Sequence, residues 1–189
     1  MNYIKYIFNK LFRLIYLFFL RIDILFLKKN NETIVYDIDN TLANTWPTIQ
    51  TKTKASFSNE RNRLSSLKLV PHAKDLVNYS KSNFGQIIFL TARNPKYYFI
   101  TKKWLKKKFG DMKFKLILVP NVNLKINYWN KLHKLSNRLV VLDDLSYNHE
   151  NNLIKFYNNE INFLKSKKNI EYFDYDHIKK GLDYIKRKL

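Results

Sequence analysis

Residues 33–45 read TIVYDIDNTLANT. Thr33 to Tyr36 is a short apolar run rich in β-branched and aromatic residues, the composition of a buried strand, and it stops at two aspartates, Asp37 and Asp39. Three further runs of this kind follow: Gln86 to Leu90, Phe114 to Val119 and Arg138 to Leu142. Stretches with helical spacing separate them: Pro71 to Lys81, ending towards Gly85, and Tyr97 to Phe109, ending at a Gly110 suited to a C-cap. An edge strand at Ile170 to Phe173 and a final helix near Asp176 to Lys188 complete the expected order. Alternating strand and helix predict an α/β fold, a doubly wound, Rossmann-like parallel sheet of about five strands with helices on both faces.

In such sheets ligands bind beyond the carboxyl ends of the strands. Polar residues gather there: Asp37 and Asp39 after the first run, Thr91 and Arg93 after the second, and Asp143 and Asp144 after the fourth. After the third, the loop from Pro120 leads to Lys125. Singly, an Asp or Thr after a strand is often only a helix N-cap. Together, four carboxylates, a hydroxyl and an amine on one sheet edge repel one another unless a divalent cation neutralises them, which points to Mg²⁺ with its preference for oxygen. Phosphoryl transfer needs this set: a metal, a nucleophile, an acid for the leaving oxygen, and donors for the equatorial oxygens. With no cysteine there are no disulfides, thiolate metal sites or cysteine nucleophiles. His72, His133, His149 and His177 show no metal-ligand spacing, and Trp104 and Leu105 read as core.

The run YDIDNTLANT (36–45) resembles the DxDxT signature of the haloacid dehalogenase (HAD) superfamily. FLTARN, NLKIN and VVLDDLS follow in the order of that family's remaining motifs, so the resemblance extends from Thr33 to Ser146. It implies that Asp37 is the nucleophile of an aspartyl-phosphate intermediate. Asp39 would then act as general acid and base, and Thr91 and Lys125 would hold phosphoryl oxygens. Mg²⁺ would sit on the Asp37 carboxylate, the Asp39 backbone carbonyl and a carboxylate of Asp143 or Asp144. Lys131, Lys102 and Lys103 stay open as alternatives to Lys125. A receiver domain is excluded by order, since its acidic pair precedes the phosphorylated aspartate.

The N-terminal stretch (1–30) reads apart from the HAD-like domain expected over 31–189. Residues 3–27 are apolar but interrupted by Lys5, Lys10, Arg13, Arg21 and Asp23, too often for the roughly 20 apolar residues that cross a bilayer. At 100° per residue the charges share one side, which predicts an amphipathic helix able to lie in an anionic membrane surface. Packing on the domain or on a second copy, and a tilted signal anchor, stay open. With no cleavage pattern after the apolar stretch, the expected location is cytoplasmic, peripheral on the inner face of a membrane. Lys and Arg number 35 against 15 Asp and Glu, a balance of +20 that would attract nucleic acid, anionic lipid or a phosphorylated substrate, and that equally fits a composition rich in Lys, Asn and Ile.

The resemblance also places substrate choice in cap insertions. Residues 44–70 have room for one or two short helices, and almost nothing is inserted between the second and third motifs, so the site should be open. A phosphorylated small molecule, lipid or glycan precursor is the expected substrate. A nucleotide or polynucleotide end is the alternative, and a non-catalytic membrane-associated binding protein of the same fold is the second.

Overall fold

The computed structural model describes residues 27–49, 57–146 and 157–188, with Leu11 and Ile15 besides. The amphipathic stretch 3–27 lies almost wholly outside the described residues. The apolar runs pair as expected: β1 (Asn30–Tyr36), β2 (Gln86–Thr91), β3 (Lys115–Leu118), β4 (Ser136–Leu142) and β5 (Ile170–Phe173) form one parallel sheet in the order β3-β2-β1-β4-β5. Thr33 stands opposite Gln86 on one side and Leu139 on the other, which makes β1 the central strand. β1 begins at Asn30, before the apolar run, because its polar start pairs with Ser136 at the equally polar start of β4. A backbone ladder does not require apolar side chains.

Helices α1 (Trp46–Ile49) and α2 (Phe57–Ser66) occupy the segment after β1, followed by α3 (Ala73–Asn83), α4 (Tyr98–Phe109), α5 (Lys125–Leu135), α6 (Asn158–Lys165), α7 (Tyr175–Lys180) and α8 (Leu182–Lys186). Side chains alternate across a strand, so each strand feeds two cores. Ile34, Tyr36, Phe89, Val140 and Leu142 pack with Leu76, Leu105, Ile178 and Ile185, the face of α3, α4, α7 and α8. Val35, Ile88, Leu139 and Val141 pack with Tyr128, Trp129, Leu132 and Leu164, the face of α5 and α6. Trp104 and Leu105 are core residues on the first face.

Two features depart from the sequence reading. No helix is expected over α5 or α6, yet Tyr128, Trp129 and Leu132 stand at the spacing of a buried helical stripe and the sheet needs that second face covered. The last helix is two: Gly181, at φ 85°, breaks it, just as Gly110 at φ 77° closes α4.

The topology positions the site. The chain leaves β1 for β2 and β3 over one face, then passes by α5 over the other to place β4 on the far side of β1. Reversal of strand order beside β1 opens a crevice at the carboxyl ends of β1 and β4. Among the described residues no helix is long and apolar enough to cross a membrane.

Candidate active site

The sheet ladder runs one residue past its strands into the crevice. Asp37 N–H donates to Leu142 C=O at 2.8 Å and Asp143 N–H to Phe173 C=O at 3.1 Å, fixing both backbones. Lys125, the first residue of α5, places its Nζ 2.7 Å from Asp37 Oδ1 and 2.7 Å from Asp143 Oδ2. All three side chains are buried. Of the four lysines open from sequence, Lys125 makes these contacts, because α5 starts directly beyond β3.

Beyond Asp37 the chain turns sharply. Ile38 C=O accepts from Leu42 N–H at 3.0 Å and from Ala43 N–H at 2.7 Å, and Asn40 takes a left-handed φ of 57°, which asparagine tolerates better than most residues. The turn re-aims Asp39 away from the direction an extended chain would give it. Its carboxylate accepts from Arg93 Nε at 2.7 Å, Arg93 Nη2 at 2.8 Å and Thr45 Oγ1 at 2.6 Å, with Thr91 Oγ1 at 3.5 Å. Arg93 is seated against Thr101 and lies 6.0 Å from the Trp104 ring, both on α4. Sequence reasoning placed Arg93 at this edge and gave it no role. Its one local signal is its position two residues after Thr91.

Electrostatics divide the carboxylates. Burial pushes Asp37 up to about 7, helped by Asp143 and Asp39 and opposed by Lys125. Burial likewise raises Asp143 against Lys125, and raises Asp144 well above the carboxylate range, with Asp37 and Asp143 adding to it. Asp39 goes the other way: burial would raise it, but the Arg93 guanidinium, with Thr45, outweighs that and holds it at about 2. Burial works against the charge on Lys125, and Asp143 and Asp37 reverse the sign, so it stays protonated.

Among the described residues four carboxylates face Lys125 and Arg93, with Arg63 also acting on Asp39, and the ionised site is short of positive charge. Carboxylate oxygens of Asp37, Asp143 and Asp144 lie within 4.8 Å of one another. An all-oxygen donor set with that deficit fits a hard divalent cation. Asp39 is not in this group, because its carboxylate is spent on Arg93. These residues, with Thr91, line a pocket of only about 60 Å³. Thr41, the threonine of the DxDxT run, is buried, and its Oγ1 finds no hydrogen-bond partner among the described residues.

No family model matches the sequence, and no curated protein matches it. Among solved structures the chain is similar to a Thermotoga maritima protein assigned as a beta-phosphoglucomutase. The two share 14% identity with a TM-score of 0.47, over 84% of this chain and 100% of that one. The likeness carries no argument about activity. The fold stands on the strand order and register given above.

Proposed function

We propose that the chain is a Mg²⁺-dependent phosphomonoester hydrolase of the HAD superfamily that works through an aspartyl-phosphate on Asp37. The observation that carries this reading is the Asp37, Lys125 and Asp143 contact at the carboxyl ends of β1 and β4, two buried carboxylates sharing one ammonium group beside a pocket of phosphate size.

In the first step an Asp37 oxygen attacks phosphorus, the bond from phosphorus to the leaving oxygen breaks, and Asp39 delivers a proton to that oxygen. In the second, water attacks the same phosphorus and gives a proton back to Asp39. The bond to Asp37 breaks, and inorganic phosphate leaves with the carboxylate restored. Lys125 and Thr91 bind the non-bridging oxygens. Asp37, the Asp39 carbonyl and Asp143 or Asp144 would hold Mg²⁺, which would supply charge neutralisation between two anions that otherwise repel. Arg93 sets a condition on this scheme. It holds Asp39 ionised, so the first step requires substrate entry to loosen their contact and let Asp39 take up a proton.

Between β2 and β3 the described residues hold α4 and a single 3₁₀ turn, Pro95–Tyr97, ahead of it; so short a connection supports a bulky substrate. Delivery at a membrane surface rests on residues 3–29. Hydrolysis of an aryl phosphate by wild type and Asp37→Asn, each with Mg²⁺ and with EDTA, tests the reading. Mg²⁺-dependent turnover abolished by the substitution is the expected result. Turnover that survives Asp37→Asn, or none in folded protein across a panel of phosphoesters, overturns it.

A further inference from the structure

We infer that the chain selects phosphomonoesters whose leaving alcohol carries an aromatic or heteroaromatic ring, held in a second cavity that borders the phosphate pocket at Asn40. The inference rests on the hydrolase reading and names its substrate class. The pocket at Asp37, about 60 Å³, has room for little more than a phosphoryl group, so the rest of any substrate must lie outside it. Asn40 lines that pocket and also a larger cavity of about 270 Å³. Asn40, a wall of both, is the residue next to Asp39, the group that must protonate the leaving oxygen. The alcohol portion of the substrate emerges there.

The larger cavity is lined by the apolar bodies of Trp46, Val70, Pro71, Tyr175 and Ile178, with the amides of Asn40 and Asn44 and the cation Lys179 among them. A mostly apolar wall with a few fixed polar groups is the usual make-up of a small-molecule site. Trp46 and Tyr175 favour a planar ring over a flexible chain, since stacking on a rigid aromatic side chain orders few bonds. Asn40 Oδ1 already accepts from Trp46 N–H at 2.9 Å, so its Nδ2 and the Asn44 amide are the groups left for a ring's polar edge. Apart from Asn40, which belongs to the turn that aims Asp39, these residues have no part in the phosphoryl chemistry. They come from the turn after β1, the start of α1, the segment ahead of α3, and α7, so the cavity is assembled by this chain's own tertiary packing.

Steady-state kinetics on phenyl phosphate, a nucleoside 5′-monophosphate, hexyl phosphate and glycerol 3-phosphate test the inference, with wild type, Trp46→Ala and Tyr175→Leu compared. Ring esters should exceed glycerol 3-phosphate in kcat/KM by about tenfold or more, the size of one well-filled apolar subsite. Either substitution should erase that preference through KM while leaving turnover of glycerol 3-phosphate unchanged, which also shows the variant to be folded. Equal kcat/KM for all four esters, a preference for hexyl phosphate, or a ring preference untouched by both variants overturns the ring site and leaves the hydrolase reading standing. Absence of any Mg²⁺-dependent turnover overturns both.

Discussion

At Lys125 a single ammonium group serves two carboxylates at 2.7 Å each, with all three side chains buried. Lys125→Met keeps the length of the side chain and removes the charge, leaving Asp37 and Asp143 buried without it. Loss of one partner from a buried pair costs on the order of 3–5 kcal/mol. We expect Lys125→Met to lose about that much in urea unfolding at pH 8 in EDTA, and clearly less at pH 5, where the carboxylates can be protonated. An equal loss at both pH values would mean that packing, not charge, is what Lys125 supplies. Arg93 makes the opposite case. It is the reason Asp39 is held at about 2, against the pull of burial, so Arg93→Gln should raise that value. The limb of the pH–rate profile that depends on protonated Asp39 then moves to higher pH, and an unmoved limb would free Asp39 from the acid role.

Among the elements, α5 does two jobs with one helix. Its first residue delivers Lys125 to the site, and its inward stripe of Tyr128, Trp129 and Leu132 covers the second face of the sheet. Trp129 is fully buried, so Trp129→Ala should cost about 3–5 kcal/mol in denaturant unfolding. Because that stripe also sets the rotation of α5, the same substitution should reduce kcat beyond what the lost stability explains. Normal kcat in the fraction still folded would show that Lys125 is positioned by its ion pairs alone. The turn after β1 is the other element with two jobs, since its left-handed Asn40 aims Asp39 at Arg93 and borders both cavities.

For the whole molecule, the site should leave a signature in stability against pH. Asp37 rises from 3.8 to about 7 on folding, and Asp143 and Asp144 shift the same way. The folded chain therefore holds these protons more tightly than the unfolded one; the Asp37 contribution is complete below about pH 4 and is lost as pH rises through 7, and Asp143 and Asp144 act with the same sign. Asp39, shifted down, acts only below this window, where its contribution falls as pH falls. In EDTA the melting temperature should fall from pH 5 to pH 8 more steeply for wild type than for Asp37→Asn. Mg²⁺ competes with those protons and binds the folded state, so it should raise the melting temperature more at pH 8 than at pH 5. Equal slopes in wild type and Asp37→Asn would show that Asp37 is not perturbed by folding.

The order of strands and helices on the face of α3 and α4, and the gathering of Asp37, Thr91, Asp143 and Asp144 at one sheet edge, were determined by the sequence itself. Apolar period, strand composition and the polar residue that ends each run are properties of neighbours along the chain, and a parallel sheet converts strand ends into one site. Which cation serves Asp37, why Asp39 faces Arg93, and the cavity beyond Asn40 were decided only by the tertiary structure. Lys125 lies 88 residues from Asp37, and Arg93 lies 54 from Asp39. In a chain with 35 lysines and arginines, any of several can be drawn toward a carboxylate on paper. The choice among them is made by the helix start or strand end that brings one within 3 Å, and that placement follows from how the two faces of the sheet are packed.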